Sequence, residues 1–397
     1  MNPPENPVDP EIKSPLPEAR PAEAAPEAAL TPEPGALNPD AKEYHGLRWV
    51  FIGSQGLRAG WSVPIFLLLT ILFLLMLGTA TSLFLHKVLH AKTGNLTPAT
   101  MIVGGLIEVL AILGAGAIIA LVERRRILDY NLTGPRRFVH FLGGLAAGFA
   151  ALSALVGGLV WGGWIHFGPV ALSGAHIFGF AALWGVAFLL TGFFEEGTFR
   201  CYLQFTLTRG INFWWALTLV GSMCLCCLLV TKGQGVWGVY IIALLGLVPC
   251  LLLHLNKAEG SGFWQASWVT STLFGYTHTF NNGENWIGIF AAASIGFVFC
   301  VSVRVTGSAW WAIGCHAAWD WAETYFYGTA DSGMVAKGHY LTTSPAGNAL
   351  WSGGTDGPEG SLLVLGAILL LLVALLVIYG REKPAALVAP VAEAAAG

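Results

Sequence analysis

The sequence is poor in charged residues, which make up only 11% of its 397 positions, whereas soluble domains carry roughly a quarter. Residues 138–194 contain no Asp, Glu, Lys or Arg at all. This scarcity excludes an ordinary water-soluble domain, and we expect no nucleic-acid partner.

Other absences narrow the class further. The first residues lack the basic start and short apolar core of a cleavable signal peptide, so the first membrane span should also act as the targeting signal. No HExxH motif fixes two metal ligands on one helix. The cysteines lie in or beside apolar stretches, and we interpret them as small buried side chains rather than disulfides or zinc ligands: Cys201, Cys224, Cys226, Cys227, Cys250, Cys300 and Cys315.

Long apolar runs are abundant, and 55% of the residues are hydrophobic. A run of about 20 apolar residues is long enough to cross the hydrocarbon core of a bilayer, and backbone groups in lipid must bond within their own segment unless a barrel closes. We therefore predict an all-α, polytopic transmembrane helical bundle of about 8–10 spans. The predicted spans are 62–84, 101–122, 138–160, 176–194, 213–230, 237–255, 263–278, 286–303, 309–326 and 361–379.

The organisation follows from composition. Residues 1–43 and 382–397 are Pro/Ala/Glu-rich and predict disordered tails, 44–61 predicts an interfacial segment, and 62–381 is the bundle. Arginines crowd 124–137 after the second span, and the positive-inside tendency puts that loop in the cytoplasm. An even number of crossings leaves both termini cytoplasmic, and we expect an integral protein of the bacterial plasma membrane.

Two adjacent acids, Glu195 and Glu196, follow the charge-free stretch, and Arg200 comes four residues later. Charged residues at membrane depth are costly and usually mark function. On a helix Glu196 and Arg200 share a face and can pair, while Glu195 points about 100° away and is free to act as a base. A charge cluster at the end of a helix is the alternative interpretation.

Two histidines recur with helical spacing. His278 lies four residues after Phe274, whose ring can pack on the imidazole, and His316 lies four residues before Asp320, which can fix its tautomer. Each histidine alone is more often a packed polar residue. Together with the two acids they supply what peptide hydrolysis needs: a base for water, an oxyanion donor and a proton source.

The ordered set EExxxR at 195–200, FxxxH at 274–278 and HxxxD at 316–320 resembles the CAAX protease and bacteriocin-processing (CPBP) family of intramembrane proteases. The run Thr306 to Trp310 resembles the lead-in to the family's last motif, and the matching core covers about 182–327. The resemblance implies a helical endopeptidase in which Glu195 and His278 activate water and His316 with Asp320 forms the oxyanion site. It gives Glu196 and Arg200 supporting roles.

This sequence departs from the family pattern in three ways. Cys201 stands where the family often has Gly, which affects only local packing. Asp320 stands where the family often has Asn, so it must be protonated or act through His316. The gap between Arg200 and Phe274 is long, and residues 213–255 predict an inserted two-helix hairpin. Counting crossings also puts Glu195 and His278 at opposite membrane faces, which predicts that 195–209 re-enters the bilayer or that the count is off by one.

We favour direct activation of water without a required cofactor. A divalent metal such as Zn²⁺ is the alternative, and Glu195, His278 and His316 would be its ligands. The expected partners are the lipid bilayer and a membrane-associated protein or peptide, including lipid-modified ones. Two other functions stay open: a proton-coupled transporter, because buried acids and histidines also form proton relays, and a catalytically silent scaffold or self-immunity protein.

Overall fold

The computed structural model describes residues 1, 50–53, 56–87, 97–232, 237–258, 260–281 and 283–381. The described chain from residue 50 onward is a bundle of helices with two very short antiparallel strand pairs. This confirms the predicted all-helical membrane fold. Apart from Met1, the predicted tails, 1–43 and 382–397, and most of the interfacial segment 44–61 lie outside the described residues.

Every predicted span contains a helix. The helices of the described bundle are α1 Ala59–Lys87, α2 Pro98–Glu123, α3 Arg137–Trp161, α4 Ala175–Glu196, α5 Gln204–Thr208, α6 Phe213–Thr231, α7 Trp237–Leu255, α8 Ser261–His278, α9 Trp286–Thr306, α10 Trp310–Asp320, α11 Ala349–Ser352 and α12 Leu363–Tyr379. Among the described residues, six helical segments are long and apolar enough to cross a membrane, and Val239–Leu255 and Leu363–Tyr379 are shorter apolar helices.

One predicted boundary was wrong. The span expected to end at Phe194 continues through a π-helical segment, Gly197–Leu203, into α5. Together these elements form an unbroken helical run, Ala175–Thr208, of 34 residues. Glu195 therefore lies inside a long helix and not at its end, and no re-entrant segment is needed to bring it level with His278.

Glycines allow the inner helices to approach closely. An added Cβ at Gly144 or Gly148 of α3 would overlap the backbone carbonyls of Trp311 and Cys315 on α10, and Gly314 of α10 meets the α3 backbone in the same way. Small residues at such contacts let membrane helices pack backbone to backbone. The α10 helix, which carries His316, is consequently held at the centre of the bundle.

The predicted hairpin at 213–255 is present as α6 and α7. Asn212 caps α6 by accepting a hydrogen bond from the Trp215 amide at 3.1 Å. Both helices pack against α8, which also packs on α9 through Gly275. The hairpin is thus an addition at the side of the bundle that leaves the arrangement of α8, α9 and α10 intact.

The segment between α10 and α12 folds back over one end of the bundle. After a second π-helical segment, Trp321–Tyr327, the strand Thr343–Pro345 pairs with the strand Ile165–Phe167, and a 3-10 turn, Pro358–Gly360, precedes α12. The Asn285 amide at the start of α9 donates to Asp356 Oδ2 at 3.1 Å. These contacts fix the 328–360 segment against the ends of the helices.

The seven cysteines are free thiols. Five are buried, as predicted, but Cys226 is exposed at the surface of α6 and Cys224 is half-buried. The exposed position follows from the place of α6 at the edge of the bundle, where one side of the helix has no protein neighbour among the described residues.

Candidate active site

A cavity of about 210 Å³ lies inside the bundle at the end covered by the 328–360 segment. Side chains of α4, α8, α9, α10 and α12 line it, together with Asp331 and Glu359 from the covering segment. Four of the predicted site residues contribute to its wall: Glu195, His278, His316 and Asp320. Three sequence motifs distant along the chain are therefore gathered around one small space.

The two adjacent acids have different surroundings, as their helical positions predict. The Glu196 side chain is fully buried, and its Oε1 accepts from Arg200 Nη1 at 3.2 Å and approaches His316 Nδ1 at 2.8 Å. The Glu195 side chain is 27% exposed and lines the cavity, with its Oε2 3.8 Å from His316 Nε2. Glu196 thus holds other side chains in place, whereas Glu195 is accessible to water or substrate.

Arg200 is fully buried within a box of aromatic rings. Its guanidinium lies 4.4 Å from the ring centre of Phe274 and 5.4 Å from that of Phe299. The Arg200 carbonyl, which lies in the π-helical segment, accepts a hydrogen bond from Asn131 Nδ2 at 2.7 Å. Cation–π contacts and the ion pair with Glu196 together compensate a charge that would be costly at this depth.

His278 is oriented by its own helix. Its Nδ1 lies 2.9 Å from the Phe274 carbonyl oxygen, and the two rings are 4.8 Å apart, as the FxxxH spacing predicts. A carbonyl only accepts hydrogen bonds, so Nδ1 must carry the proton in this contact. In the neutral ring Nε2 is then a free acceptor, which suits binding or deprotonating a water molecule.

His316 lies between the expected acid, Asp320, and a second acid, Glu196. Its Nδ1 bonds to Glu196 at 2.8 Å, whereas Asp320 Oδ2 lies 3.5 Å from Nε2. Asp320 therefore faces the imidazole, as the HxxxD spacing predicts, and the buried Glu196 is a second acid partner that the spacing does not indicate. The Phe299 ring stacks on the imidazole with centres 5.8 Å apart. Nε2 consequently faces the cavity between Glu195 and Asp320.

Further acids lie beside the cavity, and the sequence motifs did not indicate most of them. Burial and neighbouring carboxylates raise the pKa of Glu359 well above its ordinary value, and burial also raises the pKa of Asp331. Burial and the adjacent Asp356 raise the pKa of Glu284 to about 8, and burial raises that of Asp356 to about 6. The polar character of the 328–360 segment could have drawn attention to Asp331, Asp356 and Glu359, whereas Glu284 lies outside that segment.

The three metal ligands considered from the sequence do not form a compact cluster of ligand atoms. Among the described residues, the ligand atoms of Glu195, His278 and His316 do not all lie within 4.8 Å of one another. The carboxylate oxygens of Glu323, Asp331 and Glu359 do lie that close together. Glu323, seven residues after His316, thus belongs to a group of acids separate from the predicted ligands.

The arrangement bears on the choice between a peptidase and a transporter. A proton relay is strung out across the membrane, whereas hydrolysis requires base, donors and substrate to meet at one place. Glu195, His278, His316 and Asp320 line the same cavity. This convergence favours a hydrolytic site.

Comparison with known proteins gives one match. The family model "Type II CAAX prenyl endopeptidase Rce1-like" matches residues 250–322, which include the FxxxH and HxxxD motifs but not EExxxR. The curated proteins and the solved structures give no significant match. The family match confirms the resemblance seen in the sequence and, with the apolar helices, supports a CAAX-type peptidase embedded in a membrane.

Proposed function

We propose that this chain, a membrane-embedded peptidase of the CAAX type, is an intramembrane endopeptidase that cleaves a membrane-associated protein or peptide. In this proposal Glu195 and His278 activate the water molecule that attacks the peptide bond. The observation that carries the proposal is the shared cavity of Glu195, His278, His316 and Asp320. It provides a base, an imidazole acceptor and a second imidazole around one cavity.

Water activation is assigned to the accessible acid. Glu195 has no ion-pair partner closer than His316 Nε2 at 3.8 Å among the described residues, so its carboxylate is free to take a proton from water. His278 Nε2 accepts the second hydrogen of that water and orients its lone pair toward the scissile carbonyl. Placement of the base and the nucleophile together contributes a rate factor of about 10² to 10⁴.

Charge developing on the carbonyl oxygen is assigned to His316. With Nδ1 donating to Glu196, a proton on Nε2 is directed into the cavity and can bond the oxyanion. The Asp320 carboxylate, 3.5 Å from Nε2, keeps that proton on the ring and stabilises the positive charge of the imidazolium. Glu196 and Arg200 are positioning residues, since neither lines the cavity.

The leaving amine needs a proton, and Glu195 carries one after it has deprotonated water. Transfer from Glu195 to the amine nitrogen releases the second product and restores the carboxylate. The balance needs only water and the peptide, so we propose no cofactor. Zn²⁺ held by Glu195, His278 and His316 stays the alternative, because these are ordinary zinc ligands.

A second cavity indicates where an apolar part of the substrate can lie. Its volume is about 560 Å³, and it runs between α7, α8, α9 and α12 with almost entirely apolar walls. Ile368 lines both this cavity and the catalytic one. We propose that an acyl or prenyl chain of a lipid-modified substrate occupies it while the peptide enters the catalytic cavity.

The catalytic cavity lies at the end of the bundle away from the basic loop. Met101, near the start of α2, lines the cavity, whereas Arg124 follows the other end of the same helix. If the basic loop is cytoplasmic, as the positive-inside tendency indicates, the 328–360 segment and the cavity face the opposite side. We propose this orientation, with both termini cytoplasmic in a bacterial plasma membrane.

The test is cleavage by the purified protein in liposomes. Matched peptides with and without a C-terminal prenylated cysteine are incubated in H₂¹⁸O, and mass spectrometry locates the cut and the labelled oxygen. We expect one ¹⁸O in the new carboxyl group and at least a hundredfold loss of rate in Glu195→Gln. Full turnover by Glu195→Gln would rule out the assigned base.

Two further arms separate the finer points. Phenanthroline, which removes zinc but scarcely binds calcium, should leave the rate unchanged; its abolition of cleavage would favour the zinc alternative. Equal rates for the prenylated and unprenylated peptides would rule out the apolar cavity as a lipid site. Absence of cleavage of both peptides, together with proton-coupled uptake by the same liposomes, would favour the transporter.

A further inference from the structure

Three carboxyl groups outside the proposed catalytic set meet beside the catalytic cavity. Glu323 comes from the π-helical segment after α10, Asp331 from the covering segment and Glu359 from the 3-10 turn before α12. One oxygen of each lies within 4.8 Å of the chosen oxygens of the other two. Among the described residues, no other three His, Cys, Asp or Glu side chains are grouped in this way.

Glu323 carries the inference because nothing in the described protein compensates it. Its side chain is fully buried, and neither Oε1 nor Oε2 has a hydrogen-bond partner among the described residues. Asp356 Oδ1, also buried, is unpartnered in the same sense. Burying a carboxylate without a partner is strongly unfavourable, so such groups are normally paired or bound to a cation.

Asp331 and Glu359 each accept a hydrogen bond from a neighbouring side chain through one carboxylate oxygen. Thr324 Oγ1 donates to Asp331 Oδ2 at 2.7 Å, and Trp319 Nε1 donates to Glu359 Oε1 at 2.7 Å. Metal-binding carboxylates are commonly oriented in this way by hydrogen bonds from a surrounding layer of side chains. The donors fix both carboxylates in position and leave their second oxygens available.

We propose that Glu323, Asp331 and Glu359 bind a divalent cation, and that the cation is Ca²⁺. The three groups offer only hard oxygen ligands, which suit Ca²⁺ or Mg²⁺ and not a thiolate- or imidazole-bound metal. At Ca–O distances of about 2.3 to 2.6 Å, oxygens on opposite sides of the ion lie about 4.6 to 5.2 Å apart. Two ligands of one ion cannot lie farther apart than this, and the three oxygens, all within 4.8 Å of one another, meet that condition.

Such an ion would join the covering segment to the bundle. Its three ligands come from the π-helical segment after α10, from the start of the 328–360 segment and from the turn that leads into α12. Asp331 and Glu359 also line the catalytic cavity, so the cation would hold that wall of the cavity in place. This inference is independent of the proposed peptidase activity, because binding of Ca²⁺ can be measured without any substrate.

Binding is tested on the full chain, purified in detergent and freed of divalent cations with EGTA. Isothermal titration with CaCl₂ and the thermal unfolding midpoint are the two readouts. We expect one Ca²⁺ per chain with a Kd of about 1 mM or lower, and a midpoint raised by about 2 °C or more at saturating Ca²⁺. Mg²⁺ at the same concentration should raise the midpoint less.

Glu323→Gln should weaken Ca²⁺ binding at least tenfold and remove the shift of the midpoint. Asp331→Asn should weaken Ca²⁺ binding and remove the shift in the same way. If Glu323→Gln does not fold, Asp331→Asn provides the test. Asp129→Asn is the matched control, because Asp129 pairs with Arg126 at the exposed, opposite end of the bundle. The proposal is wrong if the parent protein does not bind Ca²⁺, or if both site variants bind it as tightly as the control. A larger shift with Mg²⁺ than with Ca²⁺ would overturn the choice of ion.

Discussion

Replacement of Glu196 by Gln should unfold the protein at a markedly lower temperature, although the new side chain has nearly the same size and shape. Glu196 is fully buried, and one of its oxygens contacts both Arg200 Nη1 at 3.2 Å and His316 Nδ1 at 2.8 Å. A glutamine oxygen can still accept these hydrogen bonds. It cannot neutralise the buried guanidinium, which has no other carboxylate within ion-pair distance among the described residues.

The expected magnitude follows from that uncompensated charge. Removal of one partner from a buried ion pair typically destabilises a protein by about 3 to 5 kcal/mol, which corresponds to a drop in the unfolding midpoint of roughly 6 °C or more. The cation–π contacts of Arg200 with Phe274 and Phe299 remain and place the loss toward the lower part of this range. The assay is thermal unfolding of the detergent-purified protein followed by tryptophan fluorescence.

The adjacent acid provides the control. Glu195→Gln removes a carboxylate that is 27% exposed and 3.8 Å from its nearest cationic partner, so we expect less than about 1 kcal/mol of lost stability together with the loss of cleavage. One substitution should thus lower stability and the other should lower only activity. An unfolding midpoint for Glu196→Gln equal to that of the parent would refute the reasoning, because Arg200 would then not depend on this carboxylate.

Three more predictions concern other parts of the bundle. Gly296→Ala should lower stability by about 1 to 3 kcal/mol and reduce cleavage, because its Cβ would lie 2.6 Å from Arg200 Nη2; an unchanged midpoint would contradict this. The pKa of Glu284 is raised to about 8 in the folded protein, whereas the unfolded chain loses this proton near pH 4.5. Between these two pH values the folded state holds one proton more than the unfolded chain. The free energy of unfolding, measured in EGTA, should therefore fall by up to about 1.4 kcal/mol for each pH unit of increase. Between pH 5 and 8.5 the unfolding midpoint should fall less steeply with pH in Glu284→Gln than in the parent protein. Equal slopes in the two proteins would contradict this role of Glu284. In a cysteine-free background, Ser332→Cys should react with an impermeant maleimide on intact cells and Arg126→Cys should not; the reverse pattern would invert the proposed orientation.

The helices and the four polar side chains of the cavity could be predicted because charge is rare in this sequence. A carboxylate or imidazole inside a long apolar run carries a penalty in lipid, so Glu195, His278, His316 and Asp320 stand out from the order of the amino acids alone. Helical spacing then gives the local pairs correctly, as with Glu196 and Arg200 or Phe274 and His278. These are short-range relations along one helix.

The length of the helix through Glu195 could not be predicted in the same way. After Phe194 the sequence contains Arg200 and Gln204, which end a hydropathy window, yet both side chains are fully or almost fully buried inside the bundle. Hydropathy measures the preference of a side chain for lipid and does not detect a polar residue that faces protein. The π-helical segment at Gly197–Leu203 likewise leaves no mark in the pattern of apolar residues.

The acids of the covering segment were missed for a different reason. Asp331 and Glu359 have no helical neighbour with complementary chemistry in the sequence, and their meeting with Glu323 depends on how a segment of some 30 residues folds back over the bundle. The bond between Glu196 and His316 Nδ1 is also long-range, and it adds to the local i, i+4 contact of Asp320 with Nε2. Contacts between distant segments decide these details, and spacing along one helix does not reveal them.

The unbroken run Ala175–Thr208 has a consequence for the surrounding lipid. At 1.5 Å per residue, 34 residues extend about 50 Å, while a typical hydrocarbon core is about 30 Å thick. The helix must therefore lean over or project into the headgroup layers, and a thinner bilayer demands a steeper lean. Because Glu195 is carried partway along this helix, bilayer thickness acts directly on the element that holds the proposed base.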